Sequence, residues 1–253
     1  MKRTFPIAIA AALLAGVALP QALAAGGLSI SPAIVEHVAQ PGTVGTIEIK
    51  NTASLPLAVT VASRPWRQAR SGAVAPDRRR TLKQVRVSAG SFTLAPGARK
   101  SVAFTLVSAP AAGSLYGAME VIGTPPKPKK RTGIIAAYRL VGSMRLNPAA
   151  ARRKLALSLK SPRVTGKGAK RAIKAALRNA GNTVDPVRGT ARITGSRGSR
   201  TVSIADKRIV PGATIDLPLG ATRGLPKGIY SARISLFQAG KPVLTTTRRF
   251  RIR

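Results

Sequence analysis

Cysteine is absent from all 253 residues. No disulfide can brace the fold, no thiolate can act as nucleophile, and no cysteine-based metal site can form, so core burial has to carry the stability. Acidic residues are scarce as well: seven Asp and Glu stand against 43 Lys and Arg. Glu36, Glu48, Asp77, Glu120, Asp185, Asp206 and Asp216 are scattered one per segment, without the pairing that acid–base or metal chemistry needs. The single histidine, His37, falls in an amphipathic early segment and reads as a surface residue. No glycine-rich phosphate-cradling loop precedes a helix. These absences point away from an enzyme, and no catalytic residue, metal or cofactor is expected. Aromatic residues make up 4 % of the chain, so the core must be built from Val, Ile, Leu and Ala.

Long apolar runs are confined to the N-terminus. Lys2 and Arg3 precede "FPIAIAAALLAGVALP", which ends at Pro20 and leads into Ala22-Leu23-Ala24. A charged start, a short apolar run and an A-x-A site are the features of a secretory signal peptide, with cleavage between Ala24 and Ala25. The run is shorter than the ~20 residues that span a bilayer, and no later segment is apolar enough to do so. The expectation is an exported chain with no transmembrane segment after processing.

From Leu28 onward the chain alternates in short pieces broken by Pro, Gly, Asn and Ser, the pattern of an all-β sandwich or barrel. "TIEIKN" sets Ile47 and Ile49 on one face, "LAVTVAS" sets Leu57, Val59 and Val61, and "SVAFTLV" sets Val102, Phe104 and Leu106 inward. "FTLAPGARKSVAFTL" reads as a strand pair across a type II turn, with Pro96 presetting φ and Gly97 taking φ > 0. "AKRAIKAALRNAG" reads as a loop leading into a strand rather than a helix. Trp66, between Arg64 and Arg67, reads as packing on the core or at its edge, with an aromatic platform as the alternative. The second half restates the first: "VPGATIDL" echoes "APGARKSVAFTL", and "PKGIYSARISL" echoes "AGSLYGAMEVI". The fold class is therefore all-β, two tandem immunoglobulin-like β-sandwich domains of ~100 residues each. The expected division is 1–24 signal peptide, 25–148 first domain, 149–154 linker and 155–253 second domain.

The positive charge is uneven. Residues 25–148 carry a net +13, and the shorter stretch 149–253 carries +21. In the last segment Arg249, Arg251 and Arg253 alternate with Phe250 and Ile252; Arg233 occupies the outward phase of "YSARISLF". If these two strands pair, one sheet surface carries a row of guanidinium groups, each able to grip two phosphate or carboxylate oxygens at once. Lys127, Lys129, Lys130 and Arg131 in "PPKPKKRTG" extend the candidate polyanion-binding set. "RQARSGAVAPDRRR", with Arg67, Arg70, Arg78, Arg79 and Arg80, reads as a flexible solvated loop.

The first half resembles the immunoglobulin-like N-terminal domain of the PapD-like pilus-assembly chaperones. The likeness runs over "LSISPAIVEH", "IEIKNTASLPLAVTVASRPW", "FTLAPGARKSVAFTL", "GSLYGAMEVIGTPP" and "GIIAAYRLVGSMRLNP", in the family's order. The second half, with "LRNAGNT", "VPGATIDLPLG" and "LPKGIYSARISL", resembles the partner domain of WxL-interacting cell-surface proteins, without their C-terminal transmembrane anchor. The chaperone resemblance implies a basic pair that grips a client's terminal carboxylate. Here the first strand reads Ser29-Ile30-Ser31-Pro32-Ala33 and has no Arg, while Arg139 and Arg145 are available on the last strand. The expected function is an exported, non-catalytic cell-envelope binding protein. It would recognise another surface protein or an anionic wall polymer through sheet edges and basic faces. The alternative is a periplasmic-chaperone-like protein acting by strand addition to a client subunit. Nucleic acid is a poor candidate partner, because aromatics for base stacking are sparse.

If the N-terminal segment is a signal peptide, the exported chain begins at Ala25. Mass spectrometry of the N-terminus in the envelope fraction checks this, and an intact Met1 there overturns it.

Overall fold

The computed structural model describes residues 27–126, 136–196 and 198–253. The first half contributes β1 (Leu28–Ser31), β2 (Ile34–Val38), β3 (Gly42–Asn51), β4 (Leu57–Gln68), β5 (Val74–Pro76), β6 (Val85–Val87), β7 (Ser91–Leu94), β8 (Arg99–Leu106), β9 (Leu115–Thr124) and β10 (Tyr138–Asn147). The second contributes β11 (Leu157–Leu159), β12 (Arg163–Thr165), β13 (Ala172–Asn179), β14 (Val187–Gly195), β15 (Gly198–Lys207), β16 (Thr214–Ala221), β17 (Gly228–Gln238) and β18 (Lys241–Ile252). Each half is a sandwich with its own apolar core. In the first, the sheet β1-β3-β8-β6 faces β2-β10-β9-β4-β5, with β7 also on β4. In the second, β11, β12 and β16 flank β13 and face β15-β14-β17-β18. The alternation read from the sequence points where it should: Ile47, Ile49, Val59, Val102, Phe104 and Leu106 are fully buried in the first core, and Ile173, Leu177, Ala232, Ile234 and Leu236 in the second.

The segment "FTLAPGARKSVAFTL" is the first correction. It is not a hairpin. β7 pairs with β4 in one sheet, and β8 pairs with β3 and β6 in the other. Its turn, closed by Ala98 N–H on the Ala95 carbonyl at 3.1 Å, carries the chain between sheets. Gly97 does have positive φ, +73°, as the turn chemistry requires. The crossing is held by Asn51, fully buried at the end of β3. Its Nδ2 donates to the carbonyls of Leu55 and Leu94, both at 2.9 Å, and its Oδ1 accepts from Ala53 N–H. Its backbone meets the turn from the other side: Asn51 N–H donates to Ala98 O, and Gly97 N–H donates to Asn51 O.

The second half repeats this bond for bond. Asn179 Nδ2 donates to Thr183 O and Ile209 O, both at 2.8 Å, and Oδ1 accepts from Gly181 N–H. Asn179 N–H donates to Ala213 O, Gly212 N–H to Asn179 O, and Ala213 N–H to Val210 O. The echo between "APGA" and "VPGA" is thus a shared turn and a shared anchor. It does not extend in phase to the tyrosines. Tyr230 lies in the core side of β17, its hydroxyl donating to Pro226 O, whereas Tyr116 points away from its core toward the other half.

Replacing either carboxamide leaves three backbone groups without their partner, among them the buried carbonyls of Leu94 in the first half and of Thr183 and Ile209 in the second. Asn51→Ala and Asn179→Ala should each cost about 3 kcal/mol. In urea unfolding this appears as a lower midpoint with the slope unchanged.

Candidate functional site

The sheet β2-β10-β9-β4-β5 turns its outer face toward the second half. On β9 the core side takes Met119 and Val121, which leaves Tyr116, Ala118 and Glu120 outward. Glu120 is only 2 % exposed and lies between two guanidinium groups. Arg64 Nε donates to Oε2 at 2.9 Å, and Arg139 donates from Nε and Nη2 to Oε1 at 2.7 Å. Arg64 also donates to the Arg78 and Arg80 carbonyls, which fixes the segment after β5. Burial by itself would raise the Glu120 pKa, but the hydrogen bonds from Arg139 and Arg64 and their charges outweigh it and hold the carboxyl below its ordinary value.

Where the halves meet, Gln68 at the end of β4 acts like one more rung of backbone. Its Nε2 donates to Arg208 O and its Oε1 accepts from Val210 N–H, both at 2.9 Å. Asp216 N–H donates to Arg70 O at 2.7 Å, and the Arg70 guanidinium lies 3.7 Å from the Asp216 carboxylate. The segment 67–80, read as a solvated loop, is therefore a hairpin, β4–β5, whose turn is bonded to the second sandwich. Gln68 and Arg70 find partners there that no local pattern reveals. The Tyr116 hydroxyl sits 2.9 Å from Asn147 Oδ1 and 3.2 Å from the Asn182 carbonyl, and Asn147 Nδ2 donates to Glu36. Burial pushes the Tyr116 hydroxyl above 10.0, which keeps it a donor.

Trp66 belongs to neither core cluster. It lines a cavity of about 220 Å³ between the halves, with Val74, Tyr116, Ser143, Arg145, Val184, Arg208 and Val210. Of the expectation that it packs on the core or at its edge, the core placement is corrected: it lies near the end of β4 on the outer phase, where the second half supplies its neighbours. Of the two arginines available on β10, Arg139 is taken by Glu120. Arg145 faces the cavity, 3.8 Å from Glu36.

β10 carries a partly open sheet edge. β1 and β2 are one segment that changes sheets at Ser31-Pro32, a cis peptide. β1 pairs antiparallel with β3, and β2 pairs parallel with β10 only from Ser143 to Asn147. Ser143 N–H donates to Ala33 O, so odd-numbered residues of β10 aim their backbone groups away from β9. Among the described residues no strand pairs with this side of Tyr138–Gly142, which leaves the N–H and C=O of Arg139 and Val141 as a half-strand of open edge. Val141 and Ile34 are exposed apolar side chains beside it.

The candidate basic residues divide. β17 and β18 pair in the register Ser231↔Arg249, Ile229↔Arg251 and Arg233↔Thr247, so Arg233, Arg249 and Arg251 share the outer face. Arg253 lies just past the end of β18, and its carbonyl accepts from Arg171 at 2.6 Å beside a separate groove lined by Arg163, Arg171 and Arg251. Arg192, missed in the sequence, stands directly opposite Arg233 on β14. The alternation of "VRGTARITG" would have placed it outward, but only the strand order puts it in the row. Lys127, Lys129, Lys130 and Arg131, like Ala24 and Ala25, lie outside the described residues. His37 is exposed on β2, its ring 2.9 Å from the Val38 carbonyl.

No family model matches the sequence, and no curated protein matches it either. Solved structures do. A chain from a chaperone–tip adhesin complex of CFA/I fimbriae biogenesis aligns with a TM-score of 0.53 at 14 % identity, over 88 % of this chain and 98 % of its own. The class 5 fimbriae chaperone CfaA aligns with a TM-score of 0.52 at 14 % identity, over 88 % and 99 %. The fold is that of the PapD-like fimbrial chaperones. Both immunoglobulin-like domains are included, because the alignments span nearly the whole of each chaperone chain.

The Glu120 cluster yields a signed pH dependence. The carboxyl is depressed in the folded state, so its contribution is present above the ordinary value of 4.5 and is lost as pH falls through the folded value. Glu120→Gln should cost about 2 kcal/mol at pH 7, where it leaves two guanidinium groups beside a neutral amide. In urea unfolding from pH 7 to pH 3, that difference should shrink toward zero below pH 4.5.

Proposed function

We propose that this chain is a non-catalytic, extracytoplasmic, chaperone-like protein that engages another envelope protein by strand addition along the open half of β10. The observation that carries the reading is the edge itself: on a strand that β2 covers only from Ser143 onward, Arg139 and Val141 offer backbone groups with no strand partner among the described residues, next to the exposed Val141 and Ile34 side chains. A long exposed edge invites pairing with a foreign strand, and recognition by added strands uses main-chain hydrogen bonds for affinity and alternating side chains for selection. Val141 and Ile34 supply an apolar border for such a partner. Glu120 fastens Arg139, and with it the open half-strand, to the rest of the sheet.

Two further features support it. The fold is shared with a chain of a chaperone–tip adhesin complex. The cavity between the halves presents Arg145 and Arg208 over apolar walls, a setting suited to a client's terminal carboxylate and last apolar side chain. Both differ from the first-strand arginine of the chaperone resemblance, which has no counterpart here. The two units are assigned to residues 25–148 and 155–253, with 149–154 as linker, because the short 3-10 turn Ala150–Arg152 separates β10 from β11.

The test is co-expression of the full chain with envelope subunits encoded beside it. The expected result is a complex stable to gel filtration, with the Arg139 and Val141 amides newly protected from hydrogen exchange. Val141→Pro removes one outward N–H without touching the β9 ladder, and should weaken the complex about tenfold or more. Equal binding by this variant would remove the open edge as the site.

A further inference from the structure

The outer face of β15-β14-β17-β18 has an unusual composition. The inward phase of these strands supplies Ala191, Ile193, Ile204, Ala232, Ile234, Leu236, Phe250 and Ile252 to the core. The outward phase, traced across the registers, holds hydroxyls and guanidinium groups. One row reads Thr201, Arg192, Arg233, Thr247. The next reads Ser199, Thr194, Ser231, Arg249, and on the other side lies Ser203, Thr190, Ser235, Thr245. Ile229 and Arg251 extend one corner. These three rows contain no carboxylate and no aromatic ring. Among the described residues, Arg192, Arg233, Arg249 and Arg251 make no ion pair.

The Arg192–Arg233 pair is the informative one. Like charges directly opposite on neighbouring strands disfavour the sheet. Neighbouring strands lie about 4.8 Å apart, and same-face residues along a strand about 6.7 Å apart. Each arginine is therefore within a Debye length of the next at physiological salt, and their fields add. An anionic group lying over the row would relieve the repulsion and receive bidentate contacts. The surrounding Ser and Thr can both donate to and accept from hydroxyl groups, while a nucleic-acid base or a sugar ring would call for aromatic platforms that this face lacks.

We infer that this face binds a linear polyanion of acyclic polyol-phosphate type. The phosphates lie on Arg192, Arg233, Arg249 and Arg251, and the polyol hydroxyls lie on the Ser and Thr rows. The site is separate from the β10 edge, so it stands or falls independently of the strand-addition reading.

The experiment measures binding of the full chain to purified poly(glycerol phosphate) across a salt series. Single-stranded DNA, heparin and phosphatidylglycerol vesicles serve as competing arms. The expected result is tightest binding to poly(glycerol phosphate), with log K falling linearly with log salt. Arg192→Ser/Arg233→Ser/Arg249→Ser should weaken binding at about 50 mM salt by at least about tenfold and flatten the slope by about 2. The matched variant Lys160→Ser/Lys167→Ser/Lys170→Ser loses the same charge from exposed positions outside the face and should change affinity far less. Replacing the same three arginines by Lys keeps the charge and the fold while removing the fork, and should weaken binding with little change of slope. Equal losses in the Arg→Ser and Lys→Ser variants would reduce the effect to bulk charge. No effect of the Arg→Lys change, or tighter binding of DNA, heparin or vesicles at the same salt, would overturn the polyol-phosphate assignment.

Discussion

A buried carboxamide ties each sandwich together. Asn51 and Asn179 stand at the end of a core strand, where the chain leaves one sheet and where, many residues later, it crosses from the other. A crossing segment has to satisfy its own backbone inside the protein, because it has left one ladder and not yet joined the next. An Asn side chain offers two donors and an acceptor in a plane, enough to close three such groups at once. With the turn fixed, β8 and β16 enter their sheets in register, and the alternation of Val102, Phe104 and Leu106, or of Ile215, Leu217 and Leu219, points into the core. A slip of one residue would turn every one of these side chains to water.

The need to place every backbone group also explains why β10 is open. One segment supplies β1 to one sheet and β2 to the other, and the switch at Ser31-Pro32 occurs before the whole length of β10 is covered. A proline there has no N–H to place, so the change of sheet leaves one fewer donor to satisfy. The uncovered stretch keeps the outward backbone groups of Arg139 and Val141 without a strand partner among the described residues. The buried Glu120 answers the resulting looseness. It fastens Arg139 on the open half of β10 to Arg64 on β4, and through Arg64 to the carbonyls of Arg78 and Arg80.

Much of this was legible in the sequence, and the failures share a cause. Period-two alternation placed the core residues because strand geometry is local. The echo between "APGA" and "VPGA" exposed the two domains because the turn is built from the same residues in each. The turn's role was misread, because Pro96 and Gly97 serve a hairpin and a sheet crossing equally well. What decides is Asn51, 43 residues before its partner Leu94. The neighbours of Trp66 and of the segment 67–80 escape the local pattern for the same reason: Arg208, Val210 and Asp216 lie in the other half of the chain. The arginine row could be half seen, since alternation sets Arg233, Arg249 and Arg251 outward, but adding Arg192 requires knowing that β14 runs beside β17.

That row also bears on how the positive charge should be understood. A chain with 43 basic and seven acidic residues could simply be basic everywhere. Six of the seven acids, all but Asp206, which is exposed near the end of β15, have side-chain partners among the described residues. Glu120 lies between Arg64 and Arg139, Asp216 near Arg70 and Arg163, Glu36 near Arg145, and Glu48 near Arg99. Asp185 accepts from Gln238, and Asp77 caps the Arg79 amide. These pairings lie in the first sandwich, between the halves, or away from the hydroxyl rows of the second. The closest-set outward arginines thus stand among rows on which no carboxylate falls.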